Sequence, residues 1–334
     1  MSPRRAAWFA GFVMIATLSH SVRSEPEPID TGVLRVWGPK SMADVVKAWS
    51  EGVHRVHPEI HVEPRLMGSD TAIPGLYSGL ADIALLGREE NVTDVNGFSR
   101  PKGYAFTRLE LQNGSLDVED KSAALAVLVD RENPLSRLTL AQLAAIAGCA
   151  HDGTTSIHTW RQLGVTGAWA ARRVRLYLYD TEGGTGAFLL QAVLGGSRKV
   201  DWSQVRDFKD LKRADGSSYR ASQQIVDALA RDRYGIAVSN LRFAGGRMKA
   251  VALSAQDGGP FVLPTRESVI DHTYPLARTT YAFIDRRPGS AIDPRLKEFL
   301  RYALSPDGQA DVLRDHGYLP LAEATRLAQL RKLN

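Results

Sequence analysis

Residues 33–60 read VLRVWGPKSMADVVKAWSEGVHRVHPEI, and the change of hydrophobic period within this stretch points to an alternating α/β chain. VLRVWG is a short apolar run closed by Gly38, the pattern of a strand. In the residues that follow, Met42, Val45, Val46, Trp49 and Val53 recur at helical spacing, Ser41 and Asp44 resemble an N-cap with an acidic third position, and Pro58 stops the helix. HVEPRLMGSD continues as strand and loop, TAIPGLYSG as a short helix, and ADIALLG as a buried strand. An order of β-α-β-α-β predicts a mainly parallel sheet flanked by helices, with a ligand site in the loops at the carboxyl ends of its strands.

A second section repeats the pattern. SAALAVLVD, VRLYLY and GIAVS read as strands, LTLAQLAAIAG as a helix capped by Thr139 and stopped at Gly148, and SYRASQQIVDALARDRYG as another helix. AFTRLEL and LARTTYAFI flank this section and are the natural crossing segments between two lobes. The C-terminal stretch predicts two helices broken at SPDG and a final loop.

The ends and the composition narrow the class. MSPRRAAWFAGFVMIATLSHSVRS has arginines, an apolar run from Ala6 to Leu18 and then small polar residues, the layout of a secretory signal over residues 1–24. The apolar run is shorter than the ~20 residues that span a bilayer. Cys149 is the only cysteine of the 334 residues, so an exported chain has no internal disulfide. The formal charge is +5, and removal of Arg4, Arg5 and Arg23 with the signal lowers it by three to +2. The remaining Lys and Arg interleave with acidic residues, which does not describe a nucleic-acid surface.

Three loop-to-helix junctions carry the chemistry: GPKSM (38–42), GSDTAI (68–73) and GGTGAF (183–188). Each sets hydroxyls and small residues where a helix begins, and the unpaired N–H groups and positive dipole end there attract oxyanions. Any one alone reads as an ordinary Ser or Thr cap. Three of them after strands describe a shared cleft. His54, His57 and His61, and likewise His151, Asp152 and His158, lack the partners of a tetrahedral metal site. No nucleophile elbow, metalloprotease, Walker or dinucleotide motif occurs, so neither an enzyme nor a cofactor is expected.

SGLADIALLGRE, NPLSRLTLAQLAAIAGCAHDGTTSIHTWRQLG, YGIAVS, YPLARTTYAFI and FLRYALSPDGQADVLRDHGYLPL together resemble the phosphate-specific periplasmic solute-binding proteins of ABC importers, over about Val33 to Leu321. The resemblance implies a two-lobe periplasmic binding protein fold, with residues 31–115 and 277–334 in one lobe and 116–276 in the other. It also implies a periplasmic monomer that presents its ligand to an ABC permease. Position by position, it places Ser41 with Met42, Ser69 with Asp70, and Thr185 with Gly184 and Gly186 around the ligand. The arginine that precedes the third loop in that family falls here on Asp180 or Tyr179. The acceptor after the D-I-x-x-S stretch falls near Leu86 and Gly87. Arg88 is therefore the expected cation, and Asp70, Asp180 and Glu182 are expected to make the cleft acidic. An acidic cleft leaves two alternatives open: the same fold binding a non-phosphate solute, or a ligand sensor for a membrane system.

Overall fold

The computed structural model describes residues 32–119, 121–149, 155–197, 199–314 and 317–334; the expected signal over 1–24 and the pair His151 and Asp152 lie outside them. Within Gly32–Asn334 the chain builds two five-stranded sheets.

The first lobe begins with β1 (Val33–Trp37), α1 (Ala43–Val56), β2 (His61–Arg65), α2 (Ser69–Tyr77), β3 (Ile83–Leu86), α3 (Val92–Lys102) and β4 (Thr107–Asn113). The second comprises β5 (Leu125–Asp130), β6 (Arg137–Thr139), α4 (Leu140–Ala147), β7 (Arg175–Tyr179), α5 (Gly184–Leu194), β8 (Val205–Phe208), the ribbon β9 (Leu211–Lys212) and β10 (Ser218–Tyr219), α6 (Ala221–Arg231), β11 (Gly235–Asn240), β12 (Met248–Ala250), β13 (Ala252–Ser254) and α7 (Arg266–Ile270). The chain then returns through β14 (Thr279–Ile284) and ends with α8 (Pro294–Ala303), α9 (Pro306–Arg314) and α10 (Glu323–Arg331).

The first sheet has the order β2-β1-β3-β14-β4 and the second β12-β5-β11-β7-β8. Each is mixed rather than mainly parallel, with two parallel and two antiparallel pairings. The returning strand β14 runs against β3 and β4, and β5 runs against β11, because a chain that crosses between lobes must enter each sheet from the far side.

Alternation along the strands covers both faces of each sheet. Ile83 and Leu85 join the core under α1 and α8, while Ala84 and Leu86 join the core of α2 and α3. Leu125, Val127 and Val129 face one core of the second lobe, and Ala126 and Leu128 the other. Such continuous apolar strands belong to sheets sandwiched by helices.

Thr139 caps α4 through Gln142 and Gly148 closes it, as the sequence predicts. Two helices depart from expectation. α3 has Gly97 and Pro101 in its body, but the Asn91–Asp94 capping box starts it and left-handed Gly103 ends it. α10 replaces the expected final loop; it buries Gln329, whose Oε1 accepts the Glu110 N–H at 3.3 Å.

The crossing segments are bonded to each other. Gly114 N donates to Arg278 O at 2.6 Å, and Leu125 N donates to Leu276 O at 3.1 Å. A Cβ on Gly114 would lie 2.1 Å from Ser122 O, so only glycine allows this approach.

Candidate functional site

A cavity of about 310 Å³ lies between the two sheets, lined by both crossing segments and by the three loop-to-helix junctions. Ser41, Ser69, Arg88, Gly184 and Thr185, all expected from the sequence, line it.

The first two junctions are tied together, since Gly68 N donates to Gly38 O at 2.9 Å. Gly38 follows β1 so closely against β3 that a Cβ would sit 2.7 Å from Leu85 Cβ. Ser41 stands in a 3-10 turn (Lys40–Met42) ahead of α1 and does not cap the helix, contrary to the sequence reading; it lines the cavity. Gly68 adopts φ 135°, which re-aims the chain so that α2 starts at Ser69.

At the third junction, Asp180 Oδ1 accepts the Glu182 N–H at 3.1 Å and Asp180 O accepts the Gly183 N–H at 3.0 Å, closing the turn that launches α5. Gly186 packs on the same carbonyl, where a Cβ would lie 2.1 Å from Asp180 O.

α3, α4, α7 and α8 carry side-chain caps. α1, α2, α5 and α10 carry none, and of these α2 and α5 begin with residues that line the cavity. Their first-turn N–H groups and dipole ends are thus presented to whatever occupies the cleft. α6 also begins at the cavity, but Asp210 Oδ1 accepts the Ala221 N–H at 2.8 Å and closes that end.

Several expected site residues are elsewhere. Met42 is fully buried in the first-lobe core, and its N–H is used by Pro39 O at 3.1 Å. Asp70 has a side chain 94% exposed that turns to Arg88, with Nη2 donating to Oδ1 at 3.3 Å. Asp180, Glu182 and Gly186 build the turn under Thr185 and do not line the cavity. The expected acidic cleft is thereby corrected.

Arg88 does line the cavity, but its charge is already answered. Nη1 donates to Asp94 Oδ2 at 2.6 Å and to Glu89 O at 2.9 Å. Burial disfavours the guanidinium, and the bonds to Asp94 and Asp70 more than offset that, holding its pKa above the ordinary value.

The cation that the sequence reading missed is Arg278, on the returning crossing segment just before β14. It is 6% exposed and lines the cavity. Nη2 donates to Gly87 O at 2.6 Å in the first lobe, and Nη1 to Thr185 Oγ1 at 3.2 Å in the second. The guanidinium lies 5.0 Å from the Phe188 ring centroid, and among the described residues Nε has no hydrogen-bond partner. Among the described residues no carboxylate pairs with it. Burial accordingly pushes its pKa down. The signal available in the sequence was an arginine inside the otherwise apolar crossing segment YPLARTTYAFI.

Lys121, Ser122, Arg220, Glu119 and Asp210 also line the cavity and were not foreseen. Both carboxylates are engaged: Glu119 accepts from Ser222 Oγ at 2.5 Å and pairs with Arg242 at 2.9 Å, and Asp210 pairs with Arg220 at 3.1 Å. Four cationic side chains against two acidic ones make the lining positive.

The histidines serve local structure. The rings of His54 and His61 lie 5.4 Å apart, tilted by 39°, and His57 meets Glu59 and Glu298. Among the described residues no group of three His, Cys, Asp or Glu is placed to hold a metal.

A relative in Pseudomonas aeruginosa, the phosphate-binding protein PstS, is 29% identical over 294 residues, covering 87% of this chain and 84% of that protein. Among solved structures, an ABC-type phosphate transport receptor from Vibrio cholerae aligns with TM-score 0.57 at 18% identity over 86% of this chain and 100% of that one. PstS from Borrelia burgdorferi aligns with TM-score 0.57 at 16% identity, covering 87% and 99%. The family model described as the PBP superfamily domain matches residues 25–307, and with its two lobes and interlobe cavity the chain belongs to the PBP superfamily.

Proposed function

We propose that this chain is a periplasmic receptor, not an enzyme, that captures a small tetrahedral oxyanion, phosphate foremost, and presents it as a monomer to an ABC permease. Lobes of residues 31–115 with 277–334 and of 116–276 close on the ligand about the crossing segments. Arg278 carries the reading: a buried guanidinium without a carboxylate is costly by several kcal/mol unless an anion joins it. Its fork already spans both lobes through Gly87 and Thr185, so an oxyanion bound side-on by Nε and Nη2 would be held where the lobes meet. The hydroxyls of Ser41, Ser69 and Thr185 and the open starts of α2 and α5 supply further donors. The names of the relatives, phosphate-binding protein and phosphate transport receptor, support the same ligand class.

A second reading, a tetrahedral anion bearing no proton, is favoured by the engagement of both lining carboxylates, Glu119 and Asp210. Recognition of a protonated phosphate oxygen requires an acceptor. Calorimetric titration of the ligand-stripped protein with phosphate and with sulfate tests both readings. Selective phosphate binding supports the first and selective sulfate binding the second. Absence of heat with either at millimolar concentration removes the oxyanion function.

A further inference from the structure

The end of the second lobe opposite the cavity is an arginine surface. β7 and β11 bring their carboxyl ends, Tyr179 and Asn240, to the cavity. At their amino ends Arg175 stands opposite Gly235, and in the neighbouring ladder Asp130, at the end of β5, stands opposite Met248 of β12. Arg131 N donates to Arg247 O at 2.7 Å and joins the connections beyond those two strands. Four segments distant in sequence, 130–132, 172–175, 231–233 and 245–247, are thereby gathered at one end of four adjacent strands. They carry seven arginines, all exposed, against three carboxylates, a surplus of four positive charges on a chain whose net charge without the signal is +2.

Each of those carboxylates is met by one arginine: Glu132 by Arg233 at 2.5 Å, Asp232 by Arg175 at 3.6 Å and Asp130 by Arg247 at 3.9 Å. Among the described residues Arg131, Arg172 and Arg173 pair with no carboxylate. Aromatic rings order the guanidinium groups. Arg172 lies 4.8 Å from the Tyr234 ring centroid, Arg233 lies 5.2 Å from that of Trp169, and the two rings meet edge to face at 4.9 Å. Trp160, fully buried, donates its Nε1–H to Tyr234 O at 3.0 Å and fixes the stack from the core. Trp202, 54% exposed, stands at the same end, in the turn ahead of β8 where Gln204 O accepts the Leu176 N–H at 3.0 Å.

We propose that this surface docks the protein peripherally on an anionic phospholipid bilayer. Exposed guanidinium groups bind phosphate oxygens in pairs, and a local surplus of one charge attracts a surface of the other. Tryptophan and tyrosine set among arginines form the composition that settles at headgroup level, rings toward the acyl boundary and charges at the phosphates. A single-stranded nucleic acid needs ring faces open to its bases. Here Arg172 and Arg233 already cover Tyr234, and Arg233 covers Trp169. The secretory layout of the first 24 residues likewise brings the chain to lipid phosphates rather than to nucleic acid. The cavity lies one strand away, about 15 Å along β7 at roughly 3.3 Å per residue, so docking leaves the cleft free and does not depend on what the cleft holds.

The test is co-sedimentation of the protein with vesicles of phosphatidylcholine alone or mixed equally with phosphatidylglycerol. The wild type should bind the mixed vesicles only, and more weakly as salt is raised. The triple variant Arg131→Gln, Arg172→Gln and Arg173→Gln strands no carboxylate, and should lose at least about tenfold in vesicle affinity while its melting temperature and its heat with phosphate stay as in the wild type. Should the triple variant melt lower, Arg131→Gln with Arg173→Gln leaves the Arg172 stack intact and carries the same expectation of a loss, severalfold in this case. A charge-matched control in the first lobe, Lys47→Gln, Arg100→Gln and Arg287→Gln, all exposed positions, should keep the wild-type vesicle affinity. Equal binding to both kinds of vesicle, or to neither, overturns the proposal, as does an equal loss in the control, which would assign the effect to net charge. Tighter binding to single-stranded oligodeoxythymidine than to the mixed vesicles overturns it in favour of a nucleic acid.

Discussion

Arg278 Nη1 donates to Thr185 Oγ1 across 3.2 Å, so the returning crossing segment reaches the first turn of a helix in the opposite lobe. The same guanidinium holds Gly87 O at 2.6 Å, and a lysine ammonium on a single stem cannot make both contacts in that fork. Arg278→Lys is therefore expected to lose at least about tenfold in phosphate affinity, and Arg278→Met to abolish it. The ligand-free melting temperature of Arg278→Met should stay level or rise, because a buried unpaired charge has been replaced by an apolar side chain. In the wild type, phosphate at one hundred times its Kd should stabilise the protein by about 2.7 kcal/mol, a shift that Arg278→Met must lack. A methionine variant still protected by phosphate would remove Arg278 from the site.

Local pattern made the framework legible: the strands of the two sheets other than β8 and β12, and the three loop-to-helix junctions, follow from runs of apolar residues and from small residues placed after them. Distant pairing was not legible. Asp180 and Thr185 are close in sequence, yet Asp180 spends its side chain on the Glu182 N–H while Thr185 faces the cavity, a division set by turn geometry. Arg88 stands where a cation was sought, but Asp94, six residues on, answers its charge once Asn91 starts α3 and aims the carboxylate inward. Arg278 enters the site because β14 runs antiparallel to β3, a pairing between segments nearly two hundred residues apart for which periodicity gives no sign.

The Arg88–Asp94 pair predicts opposite effects on stability and binding. Both side chains are under 10% exposed, and Asp94 also accepts the Asn91 N–H at 2.9 Å to complete the cap of α3. Asp94→Asn should destabilise the protein by about 3 kcal/mol. It also releases Arg88 toward the cavity that the arginine already lines, so phosphate affinity should rise severalfold. Urea unfolding and calorimetry on one preparation read both. An affinity that falls with stability would show that Arg88 serves only the fold.

Gln112 and Thr280 face each other across the crossing strands β4 and β14, both fully buried. Among the described residues, Gln112 Nε2 and Oε1 and Thr280 Oγ1 have no hydrogen-bond partners. Replacing buried unsatisfied groups by apolar ones of similar shape removes their desolvation cost, about 1–3 kcal/mol in favourable cases. The double variant Gln112→Met with Thr280→Val is expected to raise the urea midpoint without altering phosphate affinity. A lower midpoint would mean that the pair holds buried water and that the polar seam stabilises the crossing.

Asp293 supplies an acid-sensitive component of stability. It caps α8 by accepting the Arg295 N–H at 2.9 Å and pairs with the Arg295 guanidinium at 2.7 Å, while Arg295 Nη1 donates to Val33 O at 2.8 Å and pins the helix start to β1. The side-chain bond to Arg295, then the backbone cap, holds the Asp293 carboxyl below its ordinary value of 3.8 despite partial burial. A carboxylate whose pKa is depressed on folding contributes stability above its unfolded pKa and loses it as the pH falls through the folded one. Asp293→Asn retains a cap but not the charge, so the wild type should exceed it in stability at neutral pH, and the difference should shrink from about pH 4 downward. Asp293→Ala should lose about 1 kcal/mol more through the cap itself, at every pH. Urea unfolding of the wild type and the two variants at neutral and acidic pH separates these contributions. A wild-type advantage over Asn that persists unchanged in acid would show that the ion pair with Arg295 is not its source.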